Sequence, residues 1–78
     1  MKQAFSFPAE SHVSDGEYIP ADDEKGIPSE LTVRFKGGGI YSYQGVPQDV
    51  VDRLKEAPSP GKLLNLEIKG RFSYTKLA

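Results

Sequence analysis

The sequence predicts an α+β fold: a small antiparallel β-sheet of three to four strands with one main helix packed on one face. Three observations carry this expectation. Residues 31–36 (Leu-Thr-Val-Arg-Phe-Lys) alternate apolar and polar side chains, the pattern of a half-buried strand. Gly37, Gly38 and Gly39 then supply a turn into Ile40-Tyr41-Ser42-Tyr43-Gln44, so the two runs read as a hairpin. Gly45-Val46-Pro47 stops the returning strand and opens a helix, because proline suits the first helical position. The chain has 78 residues, enough for one domain that buries about 60% of its unfolded surface and leaves no room for a deep catalytic cleft.

In chain order, residues 1–10 read as an N-terminal arm in which Phe5 and Phe7 stand two apart, as an edge strand would place them, and residues 11–78 as the single domain. Residues 12–19 form a weak strand interrupted by Gly16, and residues 20–28 an exposed loop carrying Asp22, Asp23 and Glu24. In the hairpin a three-residue turn sets Phe35 opposite Tyr41 and Val33 opposite Tyr43. A slip of one residue would pair Phe35 with Ile40 and send both tyrosines to the other face. Residues 47–57 form the helix: Val50, Val51, Leu54 and Ala57 make one apolar stripe, Asp49 complements the N-terminal dipole and Lys55 the C-terminal one. Pro58 and Pro60 stop it, and a last strand follows over residues 67–77. The helix is expected to cover a face built from Leu31, Val33 and the core aromatics Phe35, Tyr41, Tyr43, Phe72 and Tyr74.

Composition excludes several classes of function. With no cysteine and one histidine, His12, the chain can form neither a disulfide nor a structural zinc site. His12 itself reads as an ordinary surface residue. Asp22-Asp23-Glu24 lacks the spaced ligands and terminal glutamate of a calcium loop and reads as a solvated charge run, so no metal or cofactor is expected. No nucleophile-base pair is visible, and the chain is not expected to be an enzyme. Apolar runs such as Leu63-Leu64 fall far short of the roughly 20 residues of a membrane span. The start Met1-Lys2-Gln3-Ala4-Phe5 lacks a secretory apolar region, so a soluble cytoplasmic protein without a membrane partner is expected.

Charge is distributed unevenly. Residues 1–33 hold two basic and seven acidic side chains, a net −5, whereas residues 34–78 hold eight basic and four acidic, a net +4. Two explanations stand: an anionic partner for the C-terminal half, or pairing of the two halves within one fold. Alternation along the strands puts Arg34 and Lys36, with Lys69 and Arg71, on the open sheet face beside Thr32, Ser42, Gln44, Ser73 and Thr75. A second cluster lies at Ser59-Pro60-Gly61-Lys62 with Asn65, again joined by Lys69 and Arg71, where a proline-opened turn can present N–H groups and positive charge to an anion. Gly61-Lys62 is not a phosphate-binding loop, since Glu56 stands where that motif needs glycine and Leu63 where it needs serine or threonine. The plain alternative is a helix stop and turn without a ligand.

These residues together resemble the KTSC domain. The match is carried by residues 31–35, by Tyr41 and Tyr43 followed by Gly45-Val46-Pro47, by Val50, Leu54 and Ala57, by Ser59, Gly61, Lys62 and Asn65, and by Ile68, Arg71, Phe72 and Tyr74. It runs from about residue 11 to residue 77. The acidic loop at residues 21–29, the arm at residues 1–10 and Leu63-Leu64 in place of an aromatic depart from the family pattern. That family is named for the C-terminal extension of some lysyl-tRNA synthetases and also occurs as free-standing bacterial and phage proteins. The resemblance implies the α+β fold and a role with RNA. Two functions from different classes follow. The first is a non-catalytic module that binds single-stranded RNA or other nucleic acid through a basic sheet face. The second is a phage-encoded docking module that modulates a host enzyme through the Phe5/Phe7 arm, the acidic loop or an exposed sheet edge. The near-neutral net charge of −1 favours the second, the cation clusters the first.

Overall fold

The computed structural model describes residues 2–8 and 11–78. They form one antiparallel sheet of five strands in sequence order: β1 (Gln3–Ser6), β2 (Val13–Ile19), β3 (Glu30–Phe35), β4 (Ile40–Gln44) and β5 (Tyr74–Lys76). Between β4 and β5 lie helix α1 (Gln48–Glu56) and a short helix α2 (Pro60–Leu63) that runs on into a π-helical turn, Leu64–Ile68. The α+β class stands, with five strands and two helices in place of three to four strands and one main helix.

The extra strand comes from the segment expected to be an arm. Residues 3–6 pair along β2, and Phe5 and Phe7 pack edge to face, 5.4 Å apart, against the core. Gly16 makes that possible, since a Cβ there would meet the Thr32 carbonyl oxygen at 2.8 Å and the Phe5 ring at 2.9 Å. What read as an interruption of β2 is a close approach of two strands. Met1, Ala9 and Glu10 of the expected arm lie outside the described residues.

The hairpin forms in neither of the two expected registers. Val33 faces Tyr41, Leu31 faces Tyr43 and Arg34 faces Ile40, a shift of two residues that keeps the tyrosines on the same face because side chains alternate with period two. The turn is three residues long but lies one residue earlier than expected: the Phe35 amide donates to the Gly39 carbonyl (2.8 Å) and the Gly38 amide to the Phe35 carbonyl (3.0 Å), so Lys36, Gly37 and Gly38 form the loop in place of the three glycines.

Helix α1 starts one residue later than expected, with Pro47 as its N-cap in extended conformation, and buries Val50, Val51 and Leu54. Reciprocal amide bonds between Gln3 and Gln48 (3.0 and 3.1 Å) tie it to β1, where the Lys55 ammonium also sits 5.6 Å from the Phe5 ring centroid. The largest departure follows. Residues 64–68, expected as turn and strand, are helical, and Leu64 and Ile68 are buried in the same core as Tyr43, Val46 and Leu54. Four-residue spacing puts both side chains on one side of a helix, which gives the segment after Pro60 an apolar side to bury. The last strand therefore shrinks to Tyr74–Lys76. Of the expected core aromatics, Tyr43 is buried, Phe35, Tyr41 and Phe72 are half-buried, and Tyr74 is 58% exposed because β5 is a three-residue edge.

Two stability outcomes follow. Ile68→Ala should cost about 2–5 kcal/mol in urea unfolding, the scale of a large aliphatic deletion in a sealed core; a change within about 0.5 kcal/mol would place Ile68 at the surface. Deleting residues 1–7 removes β1 and both phenylalanines and should lower the urea midpoint, whereas an unchanged midpoint would mean that β1 contributes nothing to the fold.

Candidate ligand groove

The expected basic sheet face does not form. Direct cross-strand partners share a face, so Asp15 and Glu17 of β2 stand beside Arg34 and Thr32 of β3. The Arg34 guanidinium donates to Asp15 at 3.0 Å and lies 3.8 Å from Glu17, which also pairs with Lys2 at 3.2 Å. With Glu30 on the same face of β3, the open face carries more carboxylates than cations. Lys36 is in the hairpin turn and donates to the Pro8 carbonyl (3.4 Å). Lys69 and Arg71 precede β5 rather than belong to it. The acidic and basic halves thus do meet within the fold, through Arg34.

The remaining cations gather elsewhere. An open groove of about 850 Å³ runs between the β3–β4 turn and the α2 segment, larger than a domain of this size was expected to hold. One wall is aromatic: Phe35, Tyr41, Tyr43 and Tyr74. Their rings form a continuous series, with centroids 5.6 Å apart for Phe35 and Tyr41, 5.8 Å for Tyr41 and Tyr74 and 5.9 Å for Tyr43 and Tyr74. The other wall is polar: Ser59, Gly61 and Lys62 from α2 and its N-cap, then Asn65 and Lys69 from the π turn and its C-cap. Pro8, Ser11 and His12 close one end with Gly37 and Gly39. Among the described residues neither Lys62 nor Lys69 has a carboxylate within salt-bridge distance, whereas Arg53 is paired with Glu67 at 2.7 Å.

Five of the eight anticipated site residues therefore line one groove: Ser59, Gly61, Lys62, Asn65 and Lys69. Arg34 and Lys36 lie outside it, and Arg71 lies in a shallow depression with Gly70, Phe72, Ser73 and Tyr74. Motifs alone do not mark His12, and they assign the tyrosines wholly to the core. His12 arrives through strand pairing. Val13 faces Phe35 and the Lys36 amide donates to the His12 carbonyl (3.1 Å), which brings the residue before β2 beside the hairpin turn. Its ring lies 6.1 Å from that of Phe35.

Tyr43 is the buried titratable group of the groove. Removal from water, reinforced by the neighbouring phenols of Tyr41 and Tyr74, pushes its pKa above the ordinary tyrosine value. Among the described residues no three His, Asp or Glu side chains cluster to hold a metal ion, and no helix is long and apolar enough to cross a membrane.

Residues 27–72 match the family model described as the KTSC domain. A lysine–tRNA ligase from Nostoc sp. (strain PCC 7120) is 38% identical over 64 residues, which is 82% of this chain and 11% of the ligase. One from Nostoc punctiforme is 42% identical over 48 residues, 62% of this chain and 9% of that enzyme. A protein of Tsukamurella paurometabola is 45% identical over 47 residues, 60% of this chain and 70% of the relative. The chain thus spans about a tenth of the length of the ligases it matches, and most of the length of the small relative.

A pH effect follows from Tyr43. A phenol whose folded pKa is raised favours the folded state fully below the unfolded value of about 10, and that contribution is lost as pH rises through the higher folded value. Absorbance titration at about 295 nm should show Tyr43 ionising after the free-phenol range. Tyr43→Phe should abolish that late step and flatten the decline in urea midpoint above about pH 10.

Proposed function

The chain belongs to the KTSC domain family, and from that premise we propose that it is a small, non-catalytic module that binds single-stranded RNA through the groove rather than through the open sheet face. One observation carries this reading. Lys62 and Lys69, without ion pairs among the described residues, line one groove with an aromatic series in which Tyr74 is exposed and Phe35 and Tyr41 are half-buried. Single-stranded nucleic acid is held by that combination, with cations on the phosphates and aromatic rings under the bases. The lysine–tRNA ligases that share this segment have names that speak of tRNA, which supports a nucleic-acid ligand over a protein one. A net charge of −1 does not oppose it, because the potential that phosphates meet is local and the carboxylates of the sheet face lie on the other side.

Fluorescence anisotropy with a labelled single-stranded RNA of about ten nucleotides, over a salt series from about 25 to 200 mM, tests the proposal. The chain should bind more weakly as salt rises. Lys62→Ala with Lys69→Ala should lower the logarithmic salt slope by about 1.4, or roughly 0.7 for each phosphate no longer neutralised. Arg34→Ala, which removes a guanidinium already matched by carboxylates, should leave the slope unchanged. The opposite pattern would return the interface to the sheet face. Absence of binding at low salt would leave protein docking, for which the exposed edge strand β5 with Tyr74 and Leu77 uncovered is the available surface.

A further inference from the structure

One nearly buried residue lines the groove with a hydroxyl that bonds to nothing among the described residues. Tyr43 is 3% exposed, yet it lines the groove. Its hydroxyl makes no hydrogen bond among the described residues, and no buried side-chain oxygen or nitrogen lacks a partner, so this hydroxyl keeps contact with the groove space. Such an atom is unusual, because a phenol this deep ordinarily finds an internal acceptor, as Tyr18 does on the Val46 carbonyl at 2.6 Å. The Tyr43 ring is held from two strands, opposite Leu31 on one side and Tyr74 on the other. Its position is therefore fixed before anything binds. At neutral pH a phenol is protonated, so this hydroxyl has a hydrogen to donate as well as lone pairs that accept.

The surroundings suit a nucleotide. Tyr74, 58% exposed, leaves its ring accessible 5.9 Å from that of Tyr43. Across the groove, Lys62, Asn65 and Lys69 stand at intervals of three and four residues on one side of the helical segment. The volume of about 850 Å³ is within the roughly 300–1,000 Å³ of small-ligand sites.

We propose that the groove reads a single base of a single-stranded RNA: the base stacks on Tyr74, its edge accepts a hydrogen bond from the Tyr43 hydroxyl, and the flanking phosphates meet Lys62 and Lys69. This rests on the RNA-binding function proposed above and adds base selectivity to it. A hydroxyl fixed in a recess discriminates by position, since only a base edge that places a polar atom within reach of it pairs with it, whereas stacking and phosphate contacts accept any base.

The test uses the full chain with single-stranded oligoribonucleotides of A, C or U and with an oligonucleotide of the same length and charge whose central positions are abasic. The unaltered chain should prefer one homopolymer and bind the abasic strand about tenfold more weakly. Tyr43→Phe should lose roughly three- to tenfold in affinity for the preferred homopolymer, narrow the differences among the three and leave the salt slope unchanged. If Tyr43→Phe lowers the urea midpoint, the abasic comparison decides, since it leaves the protein untouched. Equal affinity for abasic and base-bearing strands, or an unaltered homopolymer preference in Tyr43→Phe, overturns base reading while RNA binding stands. No RNA binding by the unaltered chain overturns both.

Discussion

The Val46 carbonyl is the point on which the rest of the structure depends. It accepts two buried hydrogen bonds, from the Tyr18 hydroxyl at 2.6 Å and from the Ser29 hydroxyl at 2.7 Å, while the Gly45 amide donates to the Ser29 carbonyl at 2.9 Å. A buried carbonyl without a partner costs about 1–3 kcal/mol, so using both lone pairs holds the corner in one geometry. Gly45 takes a φ of 80°, which glycine reaches without a Cβ clash, and Pro47 follows with its own φ preset. The corner fixes where α1 leaves the sheet. From there α1 reaches β1 through Gln48 and Lys55, and Pro58 and Pro60 break the chain into a second helical segment beside the hairpin turn. The groove is the space between that segment and the sheet.

Strand order decides where the charge goes. Because β2 is the neighbour of β3, the acidic residues of the N-terminal half lie along Arg34 and neutralise it. The same order places β5 beside β4, so that Tyr74 joins Tyr41 and Tyr43 on the core face. Separating the two halves into an acidic sheet face and a cationic groove gives a molecule of nearly zero net charge two surfaces of unlike character. The acidic loop has an ordered geometry of its own: Asp22 and Ile27 exchange backbone hydrogen bonds at 2.9 and 3.0 Å, and the Asp22 carboxylate accepts from the Lys25 amide, so Asp22 serves a tight turn.

Local signals were legible in the sequence and non-local ones were not. The β3–β4 hairpin and α1 announce themselves through alternation, glycine and a four-residue apolar period, all of which act within a short stretch of chain. The register escaped by two residues because it depends on which amides close the turn, and three consecutive glycines permit several closures. Residues 67–77 alternate well enough to pass for a strand. The helical outcome wins at Leu64–Ile68 because Leu64 and Ile68 are buried together when the chain stays coiled after Pro60. At the site, Lys62, Asn65 and Lys69 were readable as one cluster, while Arg34 cannot be placed without the strand pairing that sets Asp15 beside it. The role of the tyrosines was half legible, since alternation assigns them a face but not how much of that face a helix covers.

That incomplete cover has a physical cause. Leaving Tyr74 exposed forgoes stabilisation of roughly 25 cal/mol for each Å² of apolar area, so a segment able to close over it would be favoured. The segment nearest to hand is α2 with its π turn, and the side chains it turns toward the aromatic wall are Lys62, Asn65 and Lys69. Closing would draw two ammonium groups away from water, and although a ring face attracts a cation, among the described residues no carboxylate is in place to compensate either charge. Both walls are open to solvent. A ligand that brings both an aromatic surface and negative charge supplies what each wall lacks, and a chain of nucleotides carries the two in every residue.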